Sequence, residues 1–368
     1  MRRVNSYDLI VIGAGPAGCA AAMVARRNGA RVLLLERGRF PRHKVCGEFV
    51  SAESLSLLEG LLTEQDRRLI AQAPRIRQGR IFADGAEIRA PIHPPAASIA
   101  RFDMDCALWE ACIESGMDAR EGTTVQAVNG TGPFAVSTAG ENLEAKAFIN
   151  ATGRWSNLTS AAVRAAATGE RWVGLKAHFR ESHPPASVDL YFFEGGYCGV
   201  QPVSQESNGS GVVNACAMVK ATAATTLGDV LRLHPALDAR SRGWQAFSQP
   251  VSTSPLVFRE PEPVKDGILQ VGDSATFVDP FIGDGISLAL CSGVLAGECL
   301  ALFFAGACAL EQAANHYTQQ YRKRLAHVFR NSSVLRRGLS WPRVMRRPVL
   351  ALLAKAPGLA RRLVTMTR

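Results

Sequence analysis

The 368-residue sequence predicts an α/β protein in which a parallel-sheet domain is interrupted by a mostly antiparallel sheet domain and followed by C-terminal helices. Three observations predict it. The apolar run Tyr7–Ile12 passes through a glycine-rich turn into an Ala-rich helix, and a second apolar run follows at Val32–Leu35, which makes one βαβ unit. Four strand-like runs separated by turn residues fill 172–219. A buried-type strand at Ile268–Val271 then returns ahead of a long apolar helix from about 285. This interleaving assigns 1–75, 97–165 and 266–310 to the first domain, 76–96 and 166–265 to the second, and 311–368 to a basic helical segment.

Each element has a local reason. Residues 16–28 are helical, and Gly29 closes the helix. Residues 51–73 read as one helix with Leu55, Leu58, Leu61 and Leu62 on a shared side. Gly79, Gly85, Pro91, Pro94 and Pro95 break 76–99 into short strands and turns. Residues 103–115 read as a helix, and short strands lead to Phe148-Ile149-Asn150. In the second domain a meander is expected over 173–179, 188–193, 197–203 and 212–219, with turns at His183-Pro184-Pro185, Glu194-Gly195-Gly196 and Asn208-Gly209. Residues 286–310 have the composition of a membrane span, yet the motif before them argues for a buried helix.

The net charge of +10 is uneven. Residues 312–368 carry 13 Lys and Arg and no acidic residue, so the remainder is mildly acidic at −3. That distribution excludes a uniformly basic nucleic-acid-binding protein. Nine scattered cysteines include no CxxC pair, which gives a zinc site no support and suits a reducing compartment. The first residues show no signal-peptide pattern, so a cytoplasmic location is expected.

The chemistry is carried by two glycine-rich segments. Gly13-Ala14-Gly15-Pro16-Ala17-Gly18 follows a strand and opens a helix, the arrangement that lets a pyrophosphate approach the backbone and a helix N-terminus. Glu36 ends the second strand, placed to accept hydrogen bonds from a ribose. Far along the chain, Val271-Gly272-Asp273 is followed by Asp279-Pro280-Phe281-Ile282-Gly283-Asp284-Gly285-Ile286. There Asp273 can bind a hydroxylated chain, and amides at 283–286 can face an electron-rich ring edge at a helix start.

With these segments the chain resembles the FAD-dependent oxidoreductases of the p-hydroxybenzoate hydroxylase superfamily over residues 5–300. The resemblance implies a Rossmann-type, glutathione-reductase-like FAD-binding domain. It implies FAD contacts at Gly13, Gly15, Pro16, Ala17, Gly18, Glu36, Arg37, Gly153, Asp273, Pro280, Gly283, Gly285 and Ile286, and Val125 near adenine. Arg101-Phe102-Asp103 followed by Leu108 matches the Arg-containing segment that touches FAD. Within the superfamily, Pro41-Arg42-His43-Lys44-Val45-Cys46-Gly47 resembles the PxxKxCG segment of geranylgeranyl reductases, which places Cys46 and Gly47 near the flavin ring. Cys46 beside three basic residues can be an activated thiol or a small packing residue.

Two departures bear on the reaction. Where geranylgeranyl reductases carry YxWxFP, this chain has Tyr197-Cys198-Gly199-Val200-Gln201-Pro202, so Gly199 and Gln201 replace two aromatic walls. Where aromatic hydroxylases carry an Asp-Gly motif, it has Thr152-Gly153, which leaves the electron donor as NAD(P)H or a separate flavin reductase partner. There is also no WxWxIP segment, which disfavours a flavin halogenase. The expected substrate is a lipophilic small molecule contacted by Tyr197, Gly199, Gln201 and Pro202, with Cys46 and Tyr197 as the catalytic candidates and no metal.

The favoured reaction is monooxygenation of an aromatic or polyketide-type substrate through a flavin C4a-hydroperoxide, a chemistry of secondary metabolism. The alternatives are C=C reduction in an isoprenoid or lipid, and non-catalytic flavin or lipid binding. His178 reads as packed or solvated rather than catalytic. The tail, with Trp341 among Arg and Leu residues, reads either as a lid docked on the substrate domain or as a peripheral membrane contact at the inner surface.

Overall fold

The computed structural model describes residues 5–154, 171–207, 209–254, 256, 260–277 and 283–339, together with 344, 347, 348, 350 and 352. Pro280, the 155–170 segment and most of 341–368 lie outside the described residues. Two sheets organise the molecule.

The first sheet is built on β1 (Asn5–Ile12) and β2 (Val32–Leu35), joined by α1 (Pro16–Arg27). β2 is buried along its whole length, as its all-apolar VLLL sequence requires of a strand covered on both faces. The second sheet begins with β3 (Phe49–Val50), which lies within the stretch that sequence reasoning gave to the first domain. Residues 51–73 form two helices instead of one, α2 (Ala52–Leu61) and α3 (Arg68–Gln72). The break occurs where Leu62 turns extended and the Thr63 hydroxyl bonds the Asp66 carboxylate at 2.8 Å, while Asp66 N–H donates back to it at 3.2 Å. Such local side-chain bonds compete with helical ones.

The predicted short strands of 76–99 are one long hairpin, β4 (Arg75–Ala83) and β5 (Ala86–Ser98). Asp84 and Gly85 both take positive φ at its tip, as a two-residue hairpin turn demands. Pro94 and Pro95 are tolerated because they sit in a register shift between the pairs Gln78↔Pro91 and Ile76↔Ala96, where no ladder hydrogen bond is needed.

Then come α4 (Arg101–Glu114), β6 (Asp118–Arg120), β7 (Val125–Asn129), β8 (Phe134–Thr138) and β9 (Asn142–Asn150). The second sheet continues with β10 (Trp172–Ser182), β11 (Ser187–Phe193), β12 (Gly196–Gln205) and β13 (Ser210–Lys220). These four occupy the expected positions, but the order is not a simple meander. β10 pairs with β13, and β11 pairs in parallel with β4 of the hairpin. Two short helices follow, α5 (Leu227–Arg232), which opens with a capping box between Thr226 and Asp229, and α6 (Pro235–Ser241). Arg240 fastens α6 to the sheet by donating two hydrogen bonds to the Glu181 carboxylate at 2.6 and 2.7 Å and a third to Asp189 at 2.6 Å.

After the edge strands β14 (Gln245–Ala246) and β15 (Val251–Thr253), β16 (Val264–Lys265) and β17 (Ile268–Gln270) return to the first sheet. Its order is β16-β17-β9-β1-β2-β6, with β8 and β7 branching from β9. Two long helices follow, α7 (Gly285–Phe304) and α8 (Leu310–Leu339), the latter opening one residue before the basic segment assigned to 311–368.

By length and composition α7 is able to cross a membrane, yet 61% of its apolar window is buried inside the protein. It packs against α1 through contacts that only glycine permits. A Cβ on Gly293 would overlap the Ala17 carbonyl oxygen, and one on Gly297 would lie 2.7 Å from Val24 Cβ. In the tail, Leu350 is buried against Ala83, Ile88 and Ala90 of the hairpin, whereas Val344 and Leu352 are exposed.

Gly293→Ala is therefore expected to lower the unfolding free energy by about 2–4 kcal/mol, because backbone must shift to admit the methyl group. Denaturant titration of the purified variant checks this, and an unchanged midpoint would contradict the packing.

Candidate functional site

The parallel strands of the first sheet end at a cavity of about 640 Å³, walled on its other side by the second sheet. Its lining brings together Gly13, Gly15, Pro16, Ala17, Glu36, Arg37, Cys46, Gly47, Arg101, Val125, Gly153, Asp273, Gly283, Gly285, Ile286 and Tyr197. Segments separated by more than 250 residues thus face one space. Gly18 is not on the wall. It sits one turn into α1, where a Cβ would overlap the Gly13 carbonyl oxygen, so its smallness serves helix–strand contact. Gly199, Gln201 and Pro202 also lie off the wall. Gln201 is buried and donates to Ser98 Oγ at 2.6 Å.

The wall suits the FAD that the resemblance implies. α1 begins at Gly15 with no capping side chain, so its first amides are left for a ligand. A Cβ on Gly15 would stand 3.8 Å from Arg101 Nη2, which places the guanidinium over the glycine turn. Arg42, on the same wall, keeps a buried guanidinium Nε without a hydrogen-bond partner, while its Nη1 lies 3.7 Å from the Asp105 carboxylate. α7 likewise presents an N-terminus without a capping side-chain bond, at Gly283–Ile286.

Charge is set by these neighbours. Glu36 accepts from Ala14 N–H at 2.9 Å and Gly38 N–H at 2.7 Å, with Arg42 at 3.3 Å. Burial pushes its carboxyl up, but Arg42 and the two amides outweigh that and hold it below the ordinary carboxylate range. Asp273 faces the cavity, 37% of its side chain open to that space, 3.5 Å from Arg154. Enclosure by the surrounding protein raises its carboxyl despite Arg154, Arg101 and Lys44. Arg101 is locked by a bidentate pair with Asp105 at 2.6 and 2.8 Å. Lys44 reaches along the wall, where desolvation and the charges of Arg42 and Arg101 push its ammonium down to about 8.

The far end of the space is apolar. Tyr197, Met218, Leu256 and Phe277 form it, backed by Trp172, Leu190 and Phe192. Arg154 lies over the Phe277 ring, 4.5 Å from its centroid.

One cluster was not foreseen. Glu48 is fully buried and bonded to Lys176 and, at 2.8 Å, to His178 Nε2; all three are nearly inaccessible. His178 is thus packed, as read, but it is also hydrogen-bonded to a charge. The available signal was the i, i+2 spacing of Lys176 and His178, which puts two ionisable groups on one buried face of β10. Among the described residues no group of three or more His, Cys, Asp or Glu is arranged to hold a metal.

A family model described as FAD dependent oxidoreductase matches residues 8–174. The chain is 23% identical to the 1H-pyrrole-2-carbonyl-[peptidyl-carrier protein] brominase of Pseudoalteromonas luteoviolacea, covering 82% of this chain and 78% of that one. It is 27% identical to the menaquinone reductase of Mycolicibacterium smegmatis, covering 79% and 75%. A solved geranylgeranyl bacteriochlorophyll reductase-like protein of Thermoplasma acidophilum superposes with a TM-score of 0.76 at 18% identity, over 99% and 96% of the two chains.

Two outcomes follow from the wall. Asp273→Ala should weaken FAD retention about tenfold, the worth of one lost charge-assisted hydrogen bond of about 1.5 kcal/mol; flavin fluorescence during dilution measures it. Affinity for FAD should also fall as pH rises from 7 to 9.5, because a charged Lys44 attracts the pyrophosphate and loses its proton near 8. The change should be about fivefold, as for one partly exposed charge contact. It should flatten in Lys44→Met, and an equal slope in that variant would remove Lys44 from the explanation. The same lowered value has the opposite sign for stability. Between about 8 and the ordinary 10.5 the unfolded chain holds a proton that the folded chain has lost, so Lys44's contribution to stability rises through that window.

Proposed function

The chain is an FAD-dependent oxidoreductase, and on that premise we propose that it hydroxylates a phenolic or polyketide-type aromatic ring of a lipophilic substrate. The observation that carries this reading is Arg154, a cation stacked on Phe277 beside the apolar end of the cavity. Bound FAD supplies the reducing electrons and the activation of oxygen. The balance is one substrate C–H, one O₂, two electrons and two protons giving one C–OH and one water. The electrons come from NAD(P)H or from a separate flavin reductase.

The chain's own residues prepare the substrate. Tyr197, Met218, Leu256 and Phe277 hold a flat apolar ring and keep water away from it. Arg154 places positive charge at the edge of that space, which favours the ionised phenol, the electron-rich form that accepts an electrophilic oxygen. The N-terminus of α7 presents its amides to any negative charge that develops at its end of the cavity.

A second reading, reduction of a C=C bond in an isoprenoid or quinone-like lipid, is favoured by Cys46. It lies in the cavity wall within Lys44-Val45-Cys46-Gly47, and the menaquinone reductase relative points the same way. The two readings differ in stoichiometry, so a single turnover separates them. Photoreduced protein is mixed with alkylphenol and prenylated quinone substrates and divided between air and anaerobic vials. The expected product gains 16 mass units in air and does not form without oxygen. A product gaining two hydrogens under anaerobic conditions would replace hydroxylation with reduction. Arg154→Met should cost about tenfold in turnover of phenols, as for loss of one desolvated cation.

A further inference from the structure

The Glu48 cluster joins three parts of the molecule that the cavity needs in fixed relation. Glu48 belongs to the loop that carries Cys46 and Gly47, and its own N–H donates to Cys46 Sγ at 3.3 Å. Its carboxylate accepts the Arg101 N–H at 2.7 Å, at the first residue of α4, where a negative charge suits the helix N-terminus. The same carboxylate is held from the second sheet by Lys176 and His178 on β10. On the neighbouring strand β13, Asn214 lies directly across from His178 and donates to the Cys46 carbonyl oxygen at 2.9 Å. The sheet therefore grips the loop at two adjacent points.

The arrangement is costly. Glu48 takes φ +64, a left-handed conformation that non-glycine residues rarely adopt. Glu48 and Lys176 are charged groups removed from water, and burial of the carboxylate is offset by the hydrogen bonds and charges of His178 and Lys176. Apolar side chains of the same volume would pack this space without that cost. Such a cluster gives what apolar packing does not, a directional hold on named atoms.

We propose that Glu48 is a positioning residue of the cofactor cavity, fixing the Cys46–Gly47 wall and Arg101 relative to one another through bonds anchored on Lys176 and His178 of the second sheet. The proposal rests on the reading that this cavity holds FAD. It makes Glu48 different from a residue that only stabilises the fold, because its loss should move the wall even when the fold survives. The lost quantity is the alignment of a binding surface, which outer partners commonly control by an order of magnitude.

The test compares full-length wild type, Glu48→Gln, the charge-balanced double variant Glu48→Gln with Lys176→Met, and Lys176→Arg, which keeps a donor to Glu48. FAD affinity is read by flavin fluorescence, and Cys46 alkylation by iodoacetamide is followed by peptide mass spectrometry in protein stripped of flavin. The double variant is expected to fold with a thermal midpoint near wild type, to bind FAD about tenfold more weakly, and to alkylate Cys46 at least about fivefold faster. Lys176→Arg should stay within about twofold of wild type on both measures. Wild-type affinity and alkylation in a folded double variant would overturn the proposal. So would a double variant that does not fold, since the cluster would then serve folding alone. A wild-type protein that binds no FAD would instead remove the underlying reading, an outcome distinct from either.

Discussion

The site depends on one close contact, that between α1 and α7. Ala17, Ala20, Ala21 and Val24 on one helix meet Gly293 and Gly297 on the other, so closely that a single added methyl group would overlap backbone or side chain. The contact brings together two helices that begin 269 residues apart in sequence. Both start at the C-terminal edge of the parallel sheet, so both N-termini open on the same cavity. Without that approach the glycine turn at 13–18 and the Gly283–Ile286 loop would not share a ligand. The contact also accounts for the membrane-like composition of α7, which is hydrophobic because it is enclosed between α1, α2 and α8.

The second sheet completes the cavity in two ways. Its apolar residues, among them Tyr197 and Met218, make an apolar end of the cavity. Its buried polar residues, Lys176, His178 and Asn214, hold the 46–48 loop from behind. The two sets alternate with small residues along the same faces of β10, β12 and β13, with Gly174, Gly199 and Cys216 leaving room between them. A sheet face can divide its work in this way because successive inward residues are fixed about 7 Å apart along each strand.

Charge in the cavity is graded. Arg42, Lys44 and Arg101 gather near Glu36 and the glycine turn, and Arg154 lies between the Asp273 carboxylate and the Phe277 ring. The net positive charge of the whole chain has a different origin. It comes from residues after Glu311, and in that segment Leu350 docks on the β4–β5 hairpin of the second sheet. Basic composition and cofactor chemistry are thus separate features of the protein.

The sequence alone determined the order of the strand, glycine turn, helix and acidic residue that line one half of the cavity. Strand, glycine turn, helix and Glu36 lie within about 30 residues, and such local order is legible because each part constrains its neighbours directly. Asp273 and Gly283–Ile286 were legible for the same reason. The Gly199 and Gln201 positions were not, because β-strand placement depends on which neighbours pair. Gln201 turned out to bond Ser98 on β5 instead of facing the cavity. The split of 51–73 at Thr63 and the merging of 76–99 into one hairpin were likewise decided by side-chain bonds and a two-residue turn. The Glu48–Lys176–His178 cluster joins residues separated by about 130 positions, and no local pattern links them. Only the tertiary structure decides such contacts, because the cost of burying each charge is met by a partner that the chain brings near solely through folding.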